Sequence, residues 1–194
     1  MLNYDLILAS ASPRRAEILK QIGVNFRVAP AEIDETPFSG ESAVDYVQRM
    51  ALEKVQKVID TASHSGPVLG ADTAVVLGSK IFGKPKHAND GMTMLSALSG
   101  NTHQVLTSVA LGDGRECKLL LSSTEVRFRA ISSQECHAYW QTGEPEDKAG
   151  AYAIQGYGAV FVESIKGSYS GVVGLPIAET EKLLRQFDIP IWKL

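Results

Sequence analysis

Residues 6–9, Leu-Ile-Leu-Ala, form a short unbroken apolar run, the pattern of a strand buried on both faces. Ser12-Pro13 follows, a helix start with serine at the cap and proline at the first helical position. Ala16, Ile18, Leu19 and Ile22 then recur at helical spacing until Gly23 stops them. A second short strand is expected at 26–29 and an acidic loop at 30–40. Over 41–59 the stripe Val44, Val47, Ala51, Val55 and Val58 predicts a long amphipathic helix, with Arg49, Glu53, Lys54 and Lys57 among its polar positions.

After a turn at 63–67, residues 68–77 read as one apolar strand interrupted by Asp72-Thr73. Residues 82–85, Phe-Gly-Lys-Pro, close a turn. Asn89 is placed to cap a helix carrying Met92, Met94, Leu95 and Leu98. Residues 103–111 and 119–129 alternate and are rich in β-branched residues, as in antiparallel strands joined near Gly112-Asp113-Gly114. Ser132 and Glu135 form a capping box for a helix through Cys136, Tyr139 and Trp140. Residues 147–158 read as a glycine-rich loop, 160–165 as a strand, and Pro176 opens a last helix. Strand–helix units mixed with an antiparallel ribbon predict a single α/β or α+β core spanning 1–194.

Composition narrows the picture. A net charge of −3 provides no basic field for nonspecific nucleic-acid binding, so an anionic ligand must be held by a few placed cations. Cys117 and Cys136 sit in no C-x-x-C pair and near no histidine cluster, which disfavours zinc and suits a reducing cytoplasm. The start of the chain has no basic n-region and no apolar run approaches membrane length, so a cytoplasmic protein without a membrane partner is expected.

Five places could carry chemistry. At Ser10-Ala11-Ser12-Pro13-Arg14-Arg15 a strand runs into a helix N-terminus, where backbone N–H groups, two hydroxyls and two guanidiniums favour a phosphate. A capped helix with solvated arginines has the same pattern. Asp72 interrupts an apolar strand, and a carboxylate there needs a cation, a metal or a proton-transfer role to offset burial. The loop Glu32-Ile33-Asp34-Glu35 offers oxygen ligands for Mg²⁺ or Mn²⁺, although solvated acidic loops look alike. Lys54 and Lys84 are candidate phosphate cations, although each alone reads better as a surface lysine. In residues 147–156, Asp-Lys-Ala-Gly-Ala-Tyr-Ala-Ile-Gln-Gly, small residues allow a ligand near the backbone, and Gln155 provides a donor and an acceptor for a base edge. His103, alone at a strand start, reads as structural.

Taken together, LILASASPRR, EIDE, ALEKV, VLGADTAVV, FGKP, LSGNTHQVLTSVAL, DKAGAYAIQG and VVGLP resemble, in this order and over nearly the whole chain, the Maf family of nucleotide pyrophosphatases. The resemblance implies metal-dependent hydrolysis of a nucleoside triphosphate to the monophosphate and pyrophosphate. It implies an elongated mixed sheet flanked by helices, like inosine triphosphate pyrophosphatases, with two lobes around a central cleft, and a homodimer. By the same resemblance Asp72 is the proton acceptor, and Ser10, Arg14, Lys54 and Lys84 are phosphate-site residues. Glu35 joins them in an acidic role at the metal, and Asp72 is its other candidate ligand. Arg14, Thr73 and Gln155 match the branch of the family resembling dTTP/UTP pyrophosphatases; the 7-methyl-GTP branch has tryptophan, glutamine and glutamate at those places. Two alternatives stay open: a pyrophosphatase for 7-methyl-GTP or noncanonical purines, and a nucleotide-binding regulator of cell division or septum formation.

Overall fold

A computed structural model describes residues 4–61 and 66–192. Most of the turn expected at 63–67 lies outside the described residues. The chain forms β1 (Leu6–Leu8), α1 (Pro13–Gln21), β2 (Phe26–Val28), α2 (Ala43–Asp60), β3 (Val68–Leu77), β4 (Lys80–Phe82) and α3 (Ala88–Leu98), then β5 (Thr102–Gly112), β6 (Cys117–Phe128), α4 (Ser133–Trp140), β7 (Val162–Lys166), α5 (Tyr169–Val173) and α6 (Ile177–Gln186). The strands hydrogen-bond in the order β2-β1-β3-β5-β6-β7, with β4 paired to β3. The sheet is mixed: β1 runs parallel to β2 and β3, while β3–β4 and β6–β7 are antiparallel.

Local sequence explains most of these elements. Ser12 and Pro13 start α1 as expected, but the Ser12 hydroxyl makes no capping bond. Ser42 caps α2, accepting from the Asp45 N–H. The Ser132–Glu135 box closes reciprocally at α4. The cap of α3 is not Asn89: His87 takes that place, its Nδ1 accepting from the Asp90 N–H at 3.2 Å. Imidazole does there what an Asn side chain does elsewhere, a substitution that residue preferences do not suggest. The 147–158 stretch is not one open loop, because short 3₁₀ turns occupy Glu144–Asp147, Ala149–Ala151 and Tyr157–Phe161.

Two compact units divide the fold, and β3, β5 and β6 each run from one into the other. The first comprises Met1–Asp72, Thr107–Ser122 and Gly174–Leu194. Its core gathers Ile7, Ala9, Ala51, Val55, Val58, Val68 and Ala110, so the buried stripe of α2 lies on the strands. The second comprises Thr73–Leu106 and Ser123–Val173. There α3 packs on α4 so closely that a Cβ on Gly91 would stand 2.2 Å from the Trp140 ring, and Phe128, Phe161, Tyr139 and Tyr152 form a chain of tilted and edge-on rings.

Candidate active site

In the first unit the polar interruption of β3 meets the buried face of α2. Met50, Lys54 and Val58 follow one another at four-residue spacing on that face, so Lys54 belongs to the apolar stripe rather than to the solvated positions around it. Its close approach to β3 depends on Gly70. A Cβ there would lie 2.7 Å from the Ala51 carbonyl oxygen and 2.9 Å from a Val55 methyl. Two residues along the strand, on the same face, the Asp72 carboxylate accepts from the Lys54 ammonium at 2.7 Å. The Lys54 and Asp72 side chains are 8% and 11% exposed, so this pair is shielded from water on most sides.

The same ammonium lies 2.7 Å from Glu35 Oε1. Two carboxylates therefore converge on one cation, with their nearest oxygens no more than 5.4 Å apart, twice the 2.7 Å of each contact. The loop bearing Glu35 has no regular structure, and α2 ties it down. Tyr46 donates to the Glu35 carbonyl at 3.0 Å. Arg49 grips Glu41 with both arms of its fork, at 2.6 and 2.7 Å, donates to the Thr36 carbonyl at 3.2 Å, and stacks 3.9 Å over the Phe38 ring. Burial, with the nearby charges of Asp72 and Glu35, pushes the Tyr46 phenol up to about 12, so it remains a donor at neutral pH.

The junction of β1 and α1 supplies a second cation. Ser10 is buried, and its Oγ accepts from the Ser12 N–H at 3.2 Å and from the Arg15 guanidinium at 3.1 Å. Arg15 Nε also donates to the Gly174 carbonyl at 2.8 Å. Burial lowers the Arg15 pKa, while the fields of Asp72 and Glu35 support its charge and Arg14 opposes it. Arg15 is thus within the electrostatic reach of both acids. The family motif directed attention to Arg14; what the sequence did show is two adjacent arginines on a helix's first turn, which point about 100° apart, so the local fold decides which one faces the strand end.

Glu35, Lys54, Asp72 and Ser10 therefore share the first unit, together with half-buried Arg14 and Arg15. Thr73 follows Asp72 on β3 and points to the opposite face by strand alternation. Lys84 and Gln155 belong to the second unit and are exposed. The turn carrying Lys84 is tied to the glycine-rich stretch by a 3.1 Å bond from the Gly150 N–H to the Gly83 carbonyl. His103 is buried against Tyr152, whose hydroxyl lies 2.9 Å from Nε2, and burial alone drives its pKa down to about 4. It is a neutral core residue, as its isolation in the sequence suggested.

Among the described residues no group of three or more His, Cys, Asp or Glu side chains is arranged to hold a metal. Glu35 and Asp72 do supply two converging carboxylates, the donor chemistry with which a protein holds Mg²⁺ or Mn²⁺ when phosphate oxygens and water complete the shell. Among the described residues no helix is long and apolar enough to cross a membrane.

A family model described as "Maf-like protein" matches residues 5–187. A dTTP/UTP pyrophosphatase of Saccharophagus degradans is 50% identical over 97% of this chain and 91% of its own. A dTTP/UTP pyrophosphatase of Alcanivorax borkumensis is 52% identical over 97% of this chain and 98% of its own. A solved nucleoside-triphosphatase, a dITP/XTP pyrophosphatase of Mycobacterium abscessus, superposes with a TM-score of 0.46 at 13% identity, covering 95% of each chain.

Proposed function

The chain belongs to the Maf-like family, and from that footing we propose that it hydrolyses dTTP and UTP to the nucleoside monophosphate and pyrophosphate. The relatives named for that activity support the substrate class. The observation that carries the chemistry is the meeting of Lys54 with the Glu35 and Asp72 carboxylates, within reach of the Arg15 field.

In this reading the water oxygen attacks the α-phosphorus, the bond from that phosphorus to the bridging α–β oxygen breaks, and pyrophosphate leaves with the bond's electron pair. Asp72 orients the water and accepts its proton; a carboxylate held on one side by an ammonium has its remaining lone pairs for that task. Ser10, Arg14, Lys54 and Lys84 hold phosphate oxygens, and the cations among them stabilise the charge gathering on the leaving group. Glu35 and Asp72 are the residues that would hold a divalent cation, which when bound neutralises charge on the triphosphate. Arg14, Thr73 and Gln155 match the branch that resembles dTTP/UTP pyrophosphatases, and Gln155 is assigned the contact with the base. A carboxamide pairs with both N3–H and O4 of uracil or thymine, whereas a carboxylate cannot donate to O4. We place the enzyme in the cytoplasm, a setting that suits two unpaired cysteines, and as a homodimer after its family.

Product analysis on dTTP, UTP, CTP, GTP, ITP and 7-methyl-GTP, with Mg²⁺ or Mn²⁺ and with EDTA, tests the proposal. Monophosphate and pyrophosphate from dTTP and UTP, abolished by EDTA, are expected. The same products mainly from a purine would overturn the base assignment, and binding without turnover would favour the regulator. Asp72→Asn should lower kcat by about 10²–10⁴-fold while the protein stays folded; near-normal turnover would reject the proton-acceptor role.

A further inference from the structure

The stretch that carries Gln155 is pinned on both sides by two side chains to which no role has so far been given. On one side, the Ala153 N–H donates to the Tyr139 hydroxyl at 3.1 Å. On the other, the Glu144 carboxylate accepts from the Tyr157 N–H at 2.8 Å through Oε2 and from the Gly158 N–H at 2.9 Å through Oε1. The two pins are joined, because Tyr139 donates its own proton to Glu144 Oε1 at 2.6 Å. Gln155 is exposed between them. Every contact lies within the second unit.

The clamp leaves no room for side chains. A Cβ on Gly156 would meet Glu144 Oε2 at 2.1 Å, and one on Gly158 would meet the Tyr139 hydroxyl at 2.6 Å and the Ala153 carbonyl at 2.8 Å. The glycines after Gln155 thus let the chain close on a fixed carboxylate. The base of the clamp is rigid too. Tyr139 lies on α4, edge-on to Phe161 at 5.1 Å, and the Glu144 N–H donates to the Thr142 hydroxyl, which donates to the Tyr139 carbonyl. Burial disfavours the Glu144 charge, but the bonds from Tyr139, Gly158 and Tyr157 outweigh it and hold the carboxyl below its usual range. Burial and the neighbouring carboxylate push the Tyr139 phenol up, so it stays a donor.

We propose that the Tyr139–Glu144 pair is a positioning device for base selection, fixing the backbone on either side of Gln155 so that its carboxamide meets a pyrimidine edge in one geometry. This rests on the reading of Gln155 as the base contact. A bidentate hydrogen-bonding group discriminates only when held in place; loose, it pairs with alternative edges or with water. Glu144→Gln keeps the volume but turns an amide toward donors at one of its two oxygens. Tyr139→Phe removes the acceptor for Ala153 and the donor to Glu144.

The test measures kcat/KM with UTP and CTP for Glu144→Gln, Tyr139→Phe, Gln155→Ala and the Glu144→Gln/Gln155→Ala double variant, together with amide exchange at Tyr157 and Gly158 in the nucleotide-free protein. Each single clamp variant should lower the UTP-to-CTP preference about tenfold or more and speed exchange at those amides. The double variant should be no less selective than Gln155→Ala alone, since the clamp acts through that side chain. A clamp variant that slows both nucleotides equally, with the preference kept, has a structural role only and overturns the proposal. If Gln155→Ala itself keeps the preference, the base-contact reading fails, and the proposal fails with it for a reason visible in that variant alone.

Discussion

Lys54→Met should destabilise the protein far more than Asp72→Asn, although the two residues form one ion pair. In the native site the Lys54 ammonium lies 2.7 Å from each of two carboxylates. At that separation and an effective dielectric constant of ~20, the gross attraction is about 6 kcal/mol per pair. Dehydrating Lys54 and Asp72, both nearly buried, offsets most of it, so the intact cluster contributes little net stability. Removing the ammonium alone is a different matter. Asp72 remains dehydrated with its hydrogen-bonded ammonium gone and only the field of Arg15 to offset its charge, and Glu35 repels it. Breaking a buried pair from one side costs about 3–5 kcal/mol. Glu35, at 44% exposure, turns its charge toward water, so the low end applies, about 3 kcal/mol. For a protein of this size that is a fall in Tm of roughly 6–12 °C. Asp72→Asn leaves Lys54 with Glu35 and should cost about 1 kcal/mol. The double variant carries no buried charge at this point and should recover ~1–2 kcal/mol relative to Lys54→Met. Urea unfolding at neutral pH, followed by tryptophan fluorescence, measures all three. A Lys54→Met midpoint equal to wild type, or a double variant destabilised by the full sum of the singles, would refute the reasoning.

Three further outcomes are expected. Gly70→Ala forces α2 off β3, because the new methyl meets the Ala51 carbonyl at 2.7 Å; it should cost about 1–3 kcal/mol and lower kcat/KM by separating Lys54 from Asp72, and unchanged kinetics would show that the close approach is irrelevant to the site. Arg15→Lys cannot keep both the Ser10 and the Gly174 bonds in one plane, so kcat/KM on UTP should drop about tenfold, the worth of one charged hydrogen bond, which steady-state assays of the purified variant would detect. His103 is held neutral, its pKa pushed from 6.5 to about 4; the unfolded chain binds its proton first, so stability from this group is complete above 6.5 and is lost as pH falls through about 4. The span corresponds to about 3 kcal/mol, and unfolding midpoints of His103→Gln from mildly acidic to neutral pH should slope less steeply than those of wild type.

How much of this was legible beforehand can be followed residue by residue. The helix starts at Ser12-Pro13 and Ser132, the strand through Asp72 and the last helix after Pro176 are local events, set by proline placement, the Ser132–Glu135 capping box and hydrophobic period. The His87 cap and the strand β4 were missed. An imidazole cap is uncommon, and a three-residue strand is too short to show a period; it forms because β3 offers it an edge.

The site divides along the same line. By its residue types alone the sequence determined which chemistries were available: carboxylates in an acidic loop and inside an apolar strand, cations at a helix start, a carboxamide in a glycine-rich stretch. It also contained, unread, the four-residue spacing that puts Lys54 on the buried face of α2. Only the tertiary structure decided which charges meet. Lys54 reaches Asp72 because Gly70 lets a helix rest on a strand, Arg15 bonds Ser10 because of where α1 leaves β1, and Glu144 grips the chain around Gln155 from eleven positions earlier. Pairing energies depend on distance and dehydration, and neither is a property of residue order; both come into being when separate elements pack.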